Sequence, residues 1–198
     1  MNYLAHAYLS FNNTDILTGN MVADHVKGKV ALEKLPEGIQ KGIILHRKID
    51  EFTDFHPATQ RAKVWFREDY HLYAGAILDC LYDHYLANDP LYFKNDEALK
   101  LFSQNTYQQL AQNEAFFPER FAEYFPYMRQ HDWLSNYRNL RGIRKSLGGL
   151  EQRAKYMPSA DKAYELFITN YYALNQSFFE LMDDLVPFVK RESTALVS

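Results

Sequence analysis

From Ala160 to Leu185, apolar side chains recur at alternating intervals of four and three: Ala160, Tyr164, Phe167, Tyr171, Leu174, Phe178, Leu181 and Leu185. That spacing returns once per helical turn, so it predicts a long final helix with one face on a core and Ser159 as its cap. No stretch of the 198 residues shows sustained period-two alternation, and no repeat, low-complexity tract or linker divides them. The chain is therefore expected to form one all-α domain over residues 1–198, long enough for a single sizeable core.

Breaker residues predict the other helices. Asp15 is read as the cap of a helix running through Asp24. Pro36 opens a helix reaching about Thr53, which His56-Pro57 interrupts. Helices are expected over 57–65, 72–86, 96–112, 118–130 and 133–147, the last stopped by Gly148-Gly149.

Fifteen Tyr and 14 Phe predict a large mixed core in which hydroxyls must find partners. A net charge of −3 argues against a nucleic-acid partner. The opening Met1-Asn2-Tyr3-Leu4 has neither a basic start nor a long apolar run, so no signal peptide or membrane span is expected and the cytoplasm is the predicted compartment. The one cysteine, Cys80, excludes an intrachain disulfide and any cysteine-only metal site.

The chemistry shows where apolar stripes change character. In the helix after Pro36 the stripe reads Ile39, Ile43, His46, Asp50, with Asp54 one turn on. In the next long helix Leu72, Ala76, Asp79, Asp83 and Leu86 share a face, and Ile77, Leu78, Cys80, Leu81, Tyr82 and Tyr85 cover the rest. A helix apolar nearly all round is central, and carboxylates together with His84 inside it need a partner, a hydrogen bond or a metal. Asp24 follows Leu17 and Met21 on one face, and His6 interrupts the apolar segment from Leu4 to Leu9. A single buried His or Asp is more often a satisfied core group than a ligand. Several helices delivering such groups inward are how bundles build metal sites. Mixed imidazole and carboxylate donors suit Mn2+, Fe2+ or Zn2+, with Mg2+ also compatible with the carboxylates. His131-Asp132 precedes Trp133 and reads as a helix start, with Asp132 the cap. Arg138, Arg141, Arg144, Lys145, Arg153 and Lys155 form a basic stretch, either a solvated face or a docking surface for an acidic partner.

The blocks MNYLAHAYLS, GNMVADHVKG, LHRKIDEFTD and LDCLYDHYL, with WLSNYR further on, resemble the acyl carrier protein phosphodiesterase family. The resemblance implies a divergent branch of the His–Asp (HD-type) metal phosphohydrolases: an all-helical bundle, manganese-favouring and active on holo acyl carrier protein in lipid metabolism. It implies that His6, Asp24, His46, Asp50, Asp79, Asp83 and His84 contain the metal ligands and their supports. The expected ligands are His46, Asp83 and His84, with His6 and Asp24 completing or bridging the site. Asp50 or Asp79 is expected to orient water or a ligand histidine, and Arg47 to stabilise phosphoryl charge. The adjacent pair reads Asp83-His84, the reverse of the superfamily order, and neither His25 nor His131-Asp132 inherits a role. The implied reaction is hydrolysis of the phosphodiester between a carrier serine and phosphopantetheine, with the carrier docking on Arg138, Arg141, Arg144 and Lys145. Two alternatives stay open: hydrolysis of a nucleotide or other small phosphodiester, and a non-enzymatic helical partner-binding module.

Overall fold

Asn2 accepts a hydrogen bond from the Tyr3 N–H and starts α1 (Tyr3–Tyr8) in the computed structural model, which describes residues 1–197. Asn13, not Asp15, caps α2 (Thr14–Val22): its side-chain oxygen accepts from the N–H groups of Asp15 and Ile16, both at 3.1 Å. Asp15 instead places its charge in the first turn, where the helix terminus favours an anion. The helix stops at Val22, so Asp24 lies in a 3₁₀ turn over Ala23–His25.

A short α3 (Lys29–Glu33) leads to α4 (Glu37–Phe55), with Pro36 at its N-cap. His56 ends α4 and caps α5 (Pro57–Tyr70), accepting from the Ala58 N–H at 3.3 Å. α6 (Ala74–Asn88) begins later than its apolar stripe predicts. Leu72 sits in the preceding 3₁₀ turn and is 97% exposed, so it does not extend that stripe.

After α7 (Asp96–Gln112) and α8 (Glu119–Gln130), the expected helix over 133–147 is two, α9 (Trp133–Asn136) and α10 (Leu140–Arg153). Asp132 caps α9 through the Ser135 N–H at 3.4 Å. Gly148-Gly149 does not stop α10. Leu147 is fully buried and Leu150 packs on the core, so apolar contacts carry the helix through both glycines to Arg153. The final helix is also two, α11 (Ala160–Thr169), capped by Ser159, and α12 (Tyr171–Val197). Asn170 breaks them, its side chain donating to the Leu166 carbonyl at 2.8 Å. The stripe survives the break: Phe167, Leu174, Phe178, Leu181 and Leu185 are all fully buried.

Among the described residues every regular element is helical. α6 lies at the centre, packed by α1, α5, α10 and α12. Backbone meets backbone where α2 crosses α4. A Cβ on Gly19 would fall 2.2 Å from the Ile39 carbonyl oxygen, and one on Gly42 2.4 Å from that of Ile16. Only glycine permits that approach. Asn20 follows Gly19 directly on α2, His46 lies one turn beyond Gly42 on α4, and this contact is what positions the site.

Candidate metal centre

His46 and Asp50 are one turn apart on α4, and α1 brings His6 against them. The two imidazoles stack with ring centroids 3.9 Å apart and planes 16° off parallel. Asp50 spans both, with Oδ1 3.2 Å from His6 Nε2 and Oδ2 3.0 Å from His46 Nε2. One donor atom from each of the three lies within 4.8 Å of the others. Asp24 reaches the cluster from the solvent side, its Oδ1 3.5 Å from His46 Nε2.

Asn20 sets the direction of both rings. Its Nδ2 donates to Ser10 Oγ at 2.9 Å, and Ser10 Oγ donates to the His6 carbonyl at 2.7 Å. The amide oxygen therefore faces His6 Nδ1 at 3.2 Å and accepts from it. The Asn20 main-chain carbonyl accepts from His46 Nδ1 at 2.8 Å. Both Nδ1 atoms thus carry hydrogens, and both Nε2 atoms turn toward Asp50. His6 Nε2 is buried and meets no donor among the described residues, its neighbour Asp50 Oδ1 at 3.2 Å being another acceptor.

Acceptors therefore converge on one point, and a cation relieves their repulsion. Burial, then the neighbouring His46 charge, lowers the His6 pKa to about 4, so its Nε2 keeps a free lone pair. Burial opposes charge on His46 too, but hydrogen bonds to Asp24 and Asp50 outweigh it and raise its pKa to about 9. Asp50 is held well below the usual carboxylate range despite burial, by the Met1 ammonium and by His46. His46 thus holds one proton where a metal ion would sit. The orphaned His6 nitrogen, the fixed tautomers and the mixed donor set fit a divalent ion.

The acyl carrier protein phosphodiesterase family profile matches residues 1–185. The chain belongs to that family. It is 30% identical over 193 residues to an acyl carrier protein phosphodiesterase of Salmonella paratyphi A, covering 98% of this chain and all of the relative. A relative of the same name from Enterobacter sp. (strain 638) is 31% identical over 180 residues, 91% of this chain and 93% of that protein. No solved structure matches significantly, so the expected kinship with HD-type phosphohydrolases has no structural neighbour behind it.

Of the residues expected from the family blocks, the structure gathers His6, His46, Asp50 and Asp24 and sends the rest elsewhere. Asp83 is fully buried on α6 and faces the start of α1, accepting from the N–H groups of Asn2 at 3.3 Å, Leu4 at 2.7 Å and Ala5 at 3.3 Å. Burial raises its pKa to about 7 even against those donors. His84 points the other way, with Nδ1 donating to the Tyr137 carbonyl at 2.7 Å and Nε2 3.0 Å from the Tyr171 hydroxyl. Both its nitrogens have hydrogen-bond partners in this arrangement. Asp79 accepts from the Met1 ammonium at 2.8 Å, which also lies 3.4 Å from Asp50. Arg47 donates to the Val26 carbonyl at 3.2 Å and so tethers the loop beyond Asp24. Asp54 pairs with Lys63 at 2.9 Å.

Asn20 escapes sequence reasoning, since an amide in a short helix reads like any surface polar residue. Its one signal is that it stands inside the GNMVADHVKG block. The basic stretch divides as well: Arg138 pairs with Asp96 at 2.9 Å and Arg144 with Asp161 at 2.6 Å, whereas Arg141, Lys145 and Arg153 line a cleft of about 890 Å³. Cys80 lines the same cleft, but burial pushes its thiol up to about 12, which leaves it inert as a nucleophile.

Proposed function

We propose that this chain hydrolyses the phosphodiester joining phosphopantetheine to the serine of holo acyl carrier protein. The water oxygen bonds to phosphorus, the bond from phosphorus to the serine Oγ breaks, and a proton passes to that Oγ, giving apo carrier and phosphopantetheine. The carrying observation is the convergence of two buried imidazoles, His6 and His46, with the half-buried Asp50 carboxylate, in a member of this family.

His6 Nε2, His46 Nε2 and Asp50 would hold a divalent ion, Mn2+ first among Mg2+, Fe2+ and Zn2+, because carboxylates share the donor set. When bound, such an ion supplies Lewis acidity toward phosphoryl oxygens and a nucleophile at neutral pH. Asn20 holds both rings in register. Asp24 is 75% exposed and has its pKa lowered by the hydrogen bond from His46, so it stays ionised. It can accept a hydrogen bond from incoming water at the open side. Asp79 fixes Asp50 indirectly, through the ammonium they share. The paired Arg138 and Arg144 leave Arg141 and Lys145 as the cations that meet an acidic carrier. No described helix is long and apolar enough to cross a membrane, and a cytoplasmic site of action is part of the same proposal.

The test pairs metal analysis with a mass assay for conversion of holo to apo carrier. His46→Ala is expected to lose bound metal and at least roughly a hundredfold in turnover while keeping its helical spectrum. Near-normal turnover of that variant would remove His46 from the site.

A further inference from the structure

The cleft beside α10 has no part in the constellation, yet it adjoins it through the start of the chain. Tyr3 lines the cleft, and its hydroxyl lies 2.9 Å from that of Tyr124, which lies 2.7 Å from His25 Nε2, the neighbour of Asp24. Asn2, on the same wall, follows the Met1 ammonium that sits 3.4 Å from Asp50.

The lining is chemically mixed. Tyr3, Trp133 and Tyr137 provide apolar walls, Asn136 and Gln152 provide amide partners, and Arg153 provides positive charge. Its volume, about 890 Å³, lies in the range of small-molecule sites. A flexible arm with two amides, an apolar branched segment and a phosphate at one end matches each of these features.

We propose that this cleft is the seat of the phosphopantetheine arm, which lies along α10 with its phosphate directed toward His6, His46 and Asp50. The assignment rests on the reaction proposed above and adds the place where the arm binds. Gly149 lines the cleft, and a Cβ there would meet nothing within 4 Å, so a larger side chain has room at the cleft wall without striking protein. Gly148 has equally open surroundings on the same helix but does not line the cleft.

The pair gives a plug and its control. Titration calorimetry of free 4′-phosphopantetheine into the metal-loaded protein is expected to show saturable binding by the unsubstituted chain and by Gly148→Phe. Gly149→Phe is expected to weaken that binding at least tenfold and to raise the KM for holo carrier by a similar factor. Gly149→Leu, a smaller plug, is expected to give an intermediate loss and serves if the Phe variant folds poorly. Unchanged binding and KM in a folded Gly149 variant would overturn the assignment, as would equal losses in Gly148→Phe or no binding by the unsubstituted chain. Failure of the unsubstituted chain to convert holo carrier would instead defeat the proposed reaction, and the calorimetry would still decide the cleft.

Discussion

Asn20 controls two ligands with one residue, its side-chain oxygen aligning His6 and its main-chain oxygen His46. Asn20→Leu keeps the volume and the main-chain contact but leaves the His6 Nδ1–H without its acceptor. Partners of this kind typically contribute 10–100-fold to metal affinity or activity, so a loss of about that size is expected, with Asn20→Asp retaining most of the affinity. A metal titration showing the Leu variant equal to the parent would end this account of His6. The same residues set a pH dependence. The His46 pKa is raised from 6.5 to about 9, so its proton stabilises the metal-free protein fully below 6.5, and that stability is lost as pH rises through 9. Metal must displace this proton, so apparent affinity is expected to rise roughly tenfold per pH unit up to about 9, with about one proton released per ion bound. Calorimetry in buffers of different ionisation enthalpy measures that proton directly. Flat affinity between pH 7 and 8.5 would contradict it.

A helical stripe tells which face of an element turns inward, and nothing about what that face will meet. His46 and Asp50 are legible as candidate site residues because one helix fixes their separation and two leucine-like predecessors, Ile39 and Ile43, mark the face as buried. His6 was legible as the polar break in an apolar segment. Asp83 carries the same stripe signal as Asp50, yet it faces three amide N–H groups of α1, a pairing created by docking between elements 78 to 81 residues apart. His84 likewise meets a carbonyl 53 residues away, in the connection between α9 and α10, where the spacing predicts continuous helix. The helix interruptions at 137–139 and at Asn170 were hidden for a related reason, because the apolar spacing runs on across them. Asp83 therefore acts through α1, whose docking carries His6. Asp83→Ala leaves three buried donors without an acceptor and is expected to cost roughly 3 kcal/mol or more, read as a lowered melting temperature. Asp83→Asn retains one acceptor oxygen and is expected to lose less. If Asp83→Ala melted normally but shed its metal, the carboxylate would be a ligand and not a support of α1.

Across the whole molecule, charge is arranged more selectively than a basic run in the sequence conveys. Arg141 and Lys145 stand one turn apart on α10 and share the cleft, whereas Arg144, about 100° around the helix, is bound to Asp161 and lies over the Tyr164 ring at 5.4 Å. Arg138 precedes the helix and is committed to Asp96. In a chain of net charge −3, Arg141 and Lys145, with Arg153 further along the same cleft, are cations without an ion pair among the described residues and are able to draw an acidic carrier. Such attraction acts mainly on encounter and is screened beyond about 8–10 Å near physiological salt. Replacing Arg141 and Lys145 together by Glu is therefore expected to raise the KM for holo carrier about tenfold or more at low salt, with the gap to the parent closing as salt is added. Arg144→Glu, which breaks an exposed ion pair, is expected to change KM less than about twofold. Measuring KM for both variants against salt separates the possibilities. A deficit that persists unchanged at high salt would mean the pair contacts the reacting arm and does not steer the carrier. Equal effects from Arg144 would return the basic run to a single undivided surface.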